Sequence, residues 1–351
     1  MQIKDFLEAA VNAGASDVFI VAGAQIAYKL NGQIHKCDEQ ILHPNDTKEL
    51  IHQIYVLADS EKDMIKFGED DFSFSIPNLA RFRVNVFIQR GSMAAVLRII
   101  RYNLPSYKDL SIPDKIMNLA NLSSGLVLVT GIAGSGKSTT LACIIDAINK
   151  KYAKHIITIE DPIEYLHRHD KSIVSQREVT YDTENYAKAL VASLREAPDV
   201  ILVGEMRDLE TIQTALSAAE TGHLVFSTLH TMGVAETINR IIDAFPASGQ
   251  HQIRIQLAST LKTVASQKLL PSLDGKLVPV FEMLTLNNAI RTQIREGKIH
   301  QIDNYMSGLG DKDNSIILDD EILKLYSEHR LSKEVAIDNA KNREIMRKKI
   351  G

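Results

Sequence analysis

Gly131-Ile-Ala-Gly134-Ser135-Gly136-Lys137-Ser138-Thr139 follows the apolar run Leu126-Val-Leu-Val-Thr130. Beyond it, Leu141, Ile144, Ile145 and Ile148 recur at helical spacing. The stretch matches G-x-x-x-x-G-K-[ST], the loop that cradles phosphates. Its glycines let the backbone turn tightly, so that N–H groups point into one concave nest. The helix that follows adds the positive end of its dipole. In that arrangement Lys137 reaches the β- and γ-phosphates of a bound nucleotide and Ser138 offers a hydroxyl to Mg²⁺. A chance glycine turn before a helix is the bland alternative. The strand before the loop and the periodic helix after it argue against that.

Working outward, further apolar runs without alternation lie at 156–159, 200–203 and 224–227. Such runs suit strands buried on both faces of a parallel sheet. Helical stretches near 137–150, 183–196 and 208–220 supply the crossovers, which makes this region α/β. From about residue 285 the pattern is helical and ends in the basic segment 341–349. Upstream, 101–113 holds Pro105 and Pro113 and reads as an interdomain linker. Residues 1–100 read as a small α+β domain. Helices are expected over 1–14 and 46–66, the second with a stripe of Leu50, Ile54, Leu57, Met64 and Ile65. Strands are expected at 17–22, 27–34 (with Asn31-Gly32 as a turn signal), 72–76, 82–88 and 95–100.

The chain has 351 residues, which favours two domains, and 45% hydrophobic with 24% charged residues is ordinary for a globular core. A formal net charge of -4 argues against a general nucleic-acid binder. The 2 cysteines, Cys37 and Cys143, cannot build a four-cysteine zinc site and demand no disulfide, so a reduced cytoplasmic setting is the simplest expectation. Charges interrupt the apolar pattern at the N-terminus, unlike a signal peptide, and no apolar run approaches the ~20 residues of a membrane span.

Hydrolysis needs groups that hold the metal and orient water. Two segments offer carboxylates at expected strand ends, where ligands gather in open parallel sheets. One is Ile159-Glu160-Asp161-Pro162-Ile163-Glu164, and the other runs from Asp199 through Gly204-Glu205-Met-Arg207-Asp208. A solvated loop acid or a helix cap is the plain alternative for each, and Asp208 suits the cap of a helix starting at Leu209. A third candidate is Thr221-Gly-His223-Leu-Val-Phe-Ser227-Thr228-Leu-His230. Its hydroxyls or imidazoles could sense a γ-phosphate, although a lone histidine is as often a packed or surface residue.

Together these segments resemble the secretion ATPase family, and within it the type IV pilus retraction ATPases. The loop 131–139 resembles that family's Walker A, Ile-Glu-Asp-Pro-Ile-Glu-Tyr165 its Asp box, Val203-Gly-Glu-Met-Arg-Asp-Leu-Glu-Thr211 its Walker B, and Thr221 to His230 its His box. The likeness covers essentially the whole chain. It implies a RecA-like P-loop NTPase domain over 114–351, with C-terminal helices from about 285, and a PAS-like α+β domain over 1–100. It implies an ATP- and Mg²⁺-dependent motor working as a homohexamer on the inner-membrane platform protein of a pilus machine, cytoplasmic and peripheral to the membrane. Gly131, Gly134, Ser135, Gly136, Lys137, Ser138, Thr139 and His223 would contact nucleotide. Ser138 and Glu205 would hold the metal, Glu160 would polarise water, and His230 would sit on the phosphate side. Arg83 and Arg98 would reach a neighbouring subunit's γ-phosphate. Asn288-Ala-Ile-Arg291-Thr-Gln-Ile-Arg295-Glu296 resembles a retraction-associated motif. Read from its residues alone, it is an amphipathic helix with Ile290 and Ile294 inward and Arg291 and Arg295 in water. Departures from the family pattern are Ile132, Ala133, Val191 and Thr292-Gln293. An accessory paralogue of the retraction motor and a secretion or conjugation ATPase are the alternatives.

Overall fold

The computed structural model describes residues 2–30, 32–59, 68–100, 102, 104–308 and 315–351. Contacts divide the chain into two units, Met1–Asn103 with Ile163–Arg168, and Leu104–Pro162 with His169–Gly351.

In the first unit, α1 (Ile3–Ala13) buries Ile3, Phe6, Leu7 and Ala10, one stripe at helical spacing. It stops at Gly14, whose φ of 89° is left-handed. Then come β1 (Asp17–Ile20), β2 (Gln25–Leu30), β3 (Gln33–Ile41), α2 (Pro44–Leu57), β4 (Glu69–Ile76), β5 (Ala80–Gln89) and β6 (Ser92–Ile100). The sheet order is β3-β2-β1-β6-β5-β4, with every described pair antiparallel. Along β5, Ala80, Phe82, Val84 and Val86 are buried in strict alternation, as a sheet with one wet face requires.

The strand expected over 27–34 is two strands: Leu30 pairs with Gln33 across the Asn31-Gly32 signal, and Asn31 itself lies outside the described residues. β3 escaped notice because its residues are mostly polar and exposed. The second helix ends at Leu57, and Met64 and Ile65 of the expected stripe lie outside the described residues.

The second unit begins with 104–113, read above as linker. Leu104, Tyr107 and Leu110 pack instead against the buried Ile112, Ile116, Val127 and Ile144, because the segment carries enough apolar area to join that core. Arg101 and Asn103 lie outside the described residues. The elements that follow are α3 (Asp114–Met117), β7 (Gly125–Thr130), α4 (Lys137–Lys151), β8 (His155–Glu160), β9 (Ile173–Glu178), α5 (Tyr186–Ser193), β10 (Val200–Val203), α6 (Leu209–Glu220) and β11 (Leu224–Leu229). After them come α7 (Val234–Asp243), α8 (Gln250–Thr260), β12 (Leu261–Pro271), β13 (Leu277–Thr285), α9 (Asn288–Arg295), α10 (His300–Gly308), β14 (Ser315–Ile316), α11 (Leu318–Ser327), α12 (Lys333–Asn339) and α13 (Arg343–Ile350).

Their sheet runs β14-β13-β12-β7-β11-β10-β8-β9, parallel from β12 to β9 and antiparallel at β13 and β14. All six residues of β7 are buried, so the strand delivers the phosphate loop from the middle of the sheet. In α9, Ile290 and Ile294 are buried as expected. Arg291 is half-buried rather than fully in water. Its Nη1 donates to the carbonyls of Ala258 and Ser259, at the end of α8, and burial followed by the nearby Arg295 charge lowers its pKa.

Candidate nucleotide site

The loop between β7 and α4 is built on two glycines with no room for a side chain. At Gly131 (φ 144°) a Cβ would lie 2.3 Å from the carbonyl oxygen of Gln267, and at Gly136 (φ 86°) 2.9 Å from Gln267 Nε2. Gln267 of β12 therefore braces the loop at both ends. Its Oε1 also accepts from Thr140 Oγ1 at 2.8 Å, one turn into α4. Gly134 (φ 76°) has open space around its Cβ position. Lys137 is 8% exposed, and its Nζ donates to the carbonyls of Gly131 and Ile132, each at 2.9 Å. Ser135 Oγ is buried with no hydrogen-bond partner. No side chain caps α4, whose second and third residues, Ser138 and Thr139, reach solvent. A buried hydroxyl without a partner, an uncapped helix start and a lysine folded onto its own loop suit a phosphate group.

Two carboxylates converge on the same end of the sheet. Glu160 closes β8, where its Oε1 accepts from Thr158 Oγ1 at 2.6 Å and from Gln176 Nε2 at 3.2 Å. Glu205 follows β10 by two residues and is 8% exposed. Its Oε2 meets Arg207 Nε at 2.7 Å and His230 Nε2 at 3.3 Å. The hydrogen bond that Arg207 donates to Glu205 is the main reason that the pKa of Arg207 is raised. Gly204 N donates to Ile159 O at 2.8 Å and Gly131 N to Leu229 O at 3.3 Å, which ties the ends of β8, β10 and β11 to the loop. Among the described residues, no three His, Cys, Asp or Glu side chains are grouped to hold a metal. A Mg²⁺ here would take substrate phosphates and water beside one hydroxyl and one carboxylate, its usual habit.

Other expectations divide. Asp208 caps α6, accepting from Thr211 N at 2.8 Å, as its position suggested. His230 reaches the site through Glu205. The structure does not bring His223 there: six residues of β11 at about 3.3 Å each separate it from the loop end by about 20 Å. Its Nδ1 lies 3.0 Å from Ala218 O instead. The hydroxyls of Ser227 and Thr228 are also spoken for, bonded to Val203 O at 2.8 Å and Gly204 O at 2.6 Å. Glu164 belongs to the first unit, as do Arg83 on β5 and Arg98 on β6.

Sequence reasoning missed Gln267 and Tyr186. The Tyr186 hydroxyl would lie 2.9 Å from a Cβ at Gly204, so only glycine fits beneath it. Burial raises the Tyr186 pKa, and the charges of Glu205, Asp161 and Glu160 push it further. One phenol thus feels both strand-end acids. A tyrosine opening a helix after a polar loop gives no such signal in sequence.

The sequence profile of the type II/IV secretion system proteins matches residues 1–306. The chain belongs to this family. Among relatives of the secretion family, a type IV pilus retraction ATPase, PilT of Pseudomonas aeruginosa, is 44% identical over 304 residues, covering 86% of this chain and 88% of the relative. The type IV pilus ATPase PilU of the same organism is 37% identical over 341 residues, covering 97% and 89%. A crystal structure of the pilus retraction motor PilT with bound ADP superposes with a TM-score of 0.87 at 46% identity, covering 99% of each chain. The secretion-family fold therefore runs through both units.

Proposed function

We propose that this chain is an ATP-hydrolysing motor of the secretion family that powers retraction of type IV pili, working with Mg²⁺ as a ring of six. The observation that carries the reading is the convergence of the phosphate loop with Glu160 and Glu205, in a chain similar over its whole length to a retraction motor.

The backbone of Gly131, Gly134, Ser135 and Gly136 grips the phosphates. Lys137 leaves the carbonyls of Gly131 and Ile132 to meet the β- and γ-oxygens, and Thr139 supports the same turn. Ser138 and Glu205 would hold Mg²⁺, which when bound neutralises developing phosphate charge. Glu160, steadied by Thr158 and Gln176, orients the attacking water and takes its proton. His230 keeps Glu205 aimed at the metal side. Arg83 and Arg98 reach the γ-phosphate of a neighbouring subunit, a contribution worth about 10³–10⁵ in rate where it occurs. The motor acts at the inner face of the membrane through the pilus platform protein. No helix among the described residues is long and apolar enough to cross a membrane.

The test has two arms. Phosphate release by the purified protein should be Mg²⁺-dependent and lost in Lys137→Ala. Deleting the gene should leave hyperpiliated cells whose pili do not retract. Bald cells would overturn the direction of work. Normal retraction that weakens only under load would assign the chain to an accessory role beside a second motor.

A further inference from the structure

Asp17, Arg98 and Arg83 form a row across three neighbouring strands of the first unit. Asp17 of β1 stands directly opposite Arg98 of β6, and Arg98 stands opposite Arg83 of β5. Lys29 of β2 faces Asp17 from the other side. Directly paired residues of antiparallel strands share a face. The row therefore sets three cations against one carboxylate, with two arginines side by side.

The carboxylate is not a surface partner of convenience. The Asp17 side chain is 12% exposed, whereas that of Arg98 is 70% exposed. Asp17 Oδ2 accepts from Ser16 Oγ at 2.8 Å, which fixes the carboxylate plane. Its Oδ1 accepts from Arg98 Nε at 3.1 Å. The contact found is through Nε, at 3.1 Å, and no hydrogen bond from either terminal Nη group of Arg98 to the acid is found, while the Arg98 side chain is 70% exposed. The Nη groups are the donors that fork onto a phosphate. A bidentate pairing through the Nη groups would have consumed them.

We infer that Asp17 is a positioning residue for Arg98: it holds the guanidinium by Nε so that its forked end is presented outward to an incoming phosphate. This rests on the reading of Arg98 as a trans arginine. The pairing also restrains Arg98, which stands opposite Arg83 despite their like charge, so less side-chain freedom is lost when the phosphate arrives. Misplacing such a group by an ångström is enough to slow a reaction substantially.

The experiment is a double-mutant cycle on the full-length protein, read as kcat and KM for ATP, with assembly state and melting curve recorded for each variant. Arg98→Ala should lower kcat by about 10³. Asp17→Ala should lower kcat by about tenfold and leave KM within about twofold, because positioning, not nucleotide affinity, is lost. In the Arg98→Ala background, Asp17→Ala should change kcat by less than about twofold, since coupled residues are not additive. Asp17→Asn keeps an acceptor for Nε and should retain most of the rate; it also serves if Asp17→Ala does not fold. An unimpaired Arg98→Ala would remove the trans arginine itself. An impaired Arg98→Ala with an unchanged Asp17→Ala, or with fully additive losses, would overturn the positioning role alone.

Discussion

Glu160 and Glu205 lie at the ends of neighbouring strands of one sheet and differ in the hydrogen-bond partners found there. Glu160 is steadied by a hydroxyl and an amide, and Glu205 by a guanidinium and an imidazole. Neutral donors fix a carboxylate without cancelling its charge, so the group keeps its pull on a water proton. The Arg207 guanidinium at 2.7 Å occupies a position that another cation would take, with the His230 imidazole beside it at 3.3 Å. On the proposed reading, a Mg²⁺ held by Glu205 would compete with the Arg207 guanidinium for the same carboxylate.

The sharpest break between the two is chemical. Glu160→Gln should lower turnover by about 10²–10⁴ while ATP affinity, read by calorimetry, stays within about twofold. Glu205→Gln should raise the Mg²⁺ concentration for half-maximal turnover by about 10–100-fold, as losing a metal-supporting partner does. If a magnesium titration moved for Glu160→Gln and stayed put for Glu205→Gln, the two roles would be exchanged. Thr158→Val removes the short hydrogen bond to Glu160; about 1.5 kcal/mol of support corresponds to about tenfold in kcat, with the magnesium requirement unchanged. Arg207→Ala has the smallest effect and the opposite sign. Removing the competing cation should lower the half-maximal Mg²⁺ concentration about two- to threefold, the scale of an exposed ion pair. A rise would show that Arg207 serves the metal site and does not compete with it.

What was legible in sequence follows the range of the interactions. The phosphate loop and its flanks were readable because an apolar run, a glycine spacing and a helical period are all local. Glu160 and Glu205 were readable because they end apolar runs. β12 was not, because Lys262, Thr263, Ser266, Gln267 and Lys268 break any strand pattern, and only pairing with β7 and β13 makes them one. Gln267 was therefore invisible as the brace of a loop more than a hundred residues away in sequence. His223 and His230 share one motif, and only the length of β11 shows that they serve opposite ends of the sheet. The partial burial of Arg291 was not legible because its partners, carbonyls near the end of α8, are set by tertiary packing. The destination of 163–168 had no local mark at all.

That segment has a consequence for the path of the chain. The backbone passes between the two units at 103–104, 162–163 and 168–169, three crossings in all. Two of them bound a six-residue piece that starts three positions past Glu160. The backbone that leaves Glu160 thus enters the first unit within a few covalent bonds of that carboxylate.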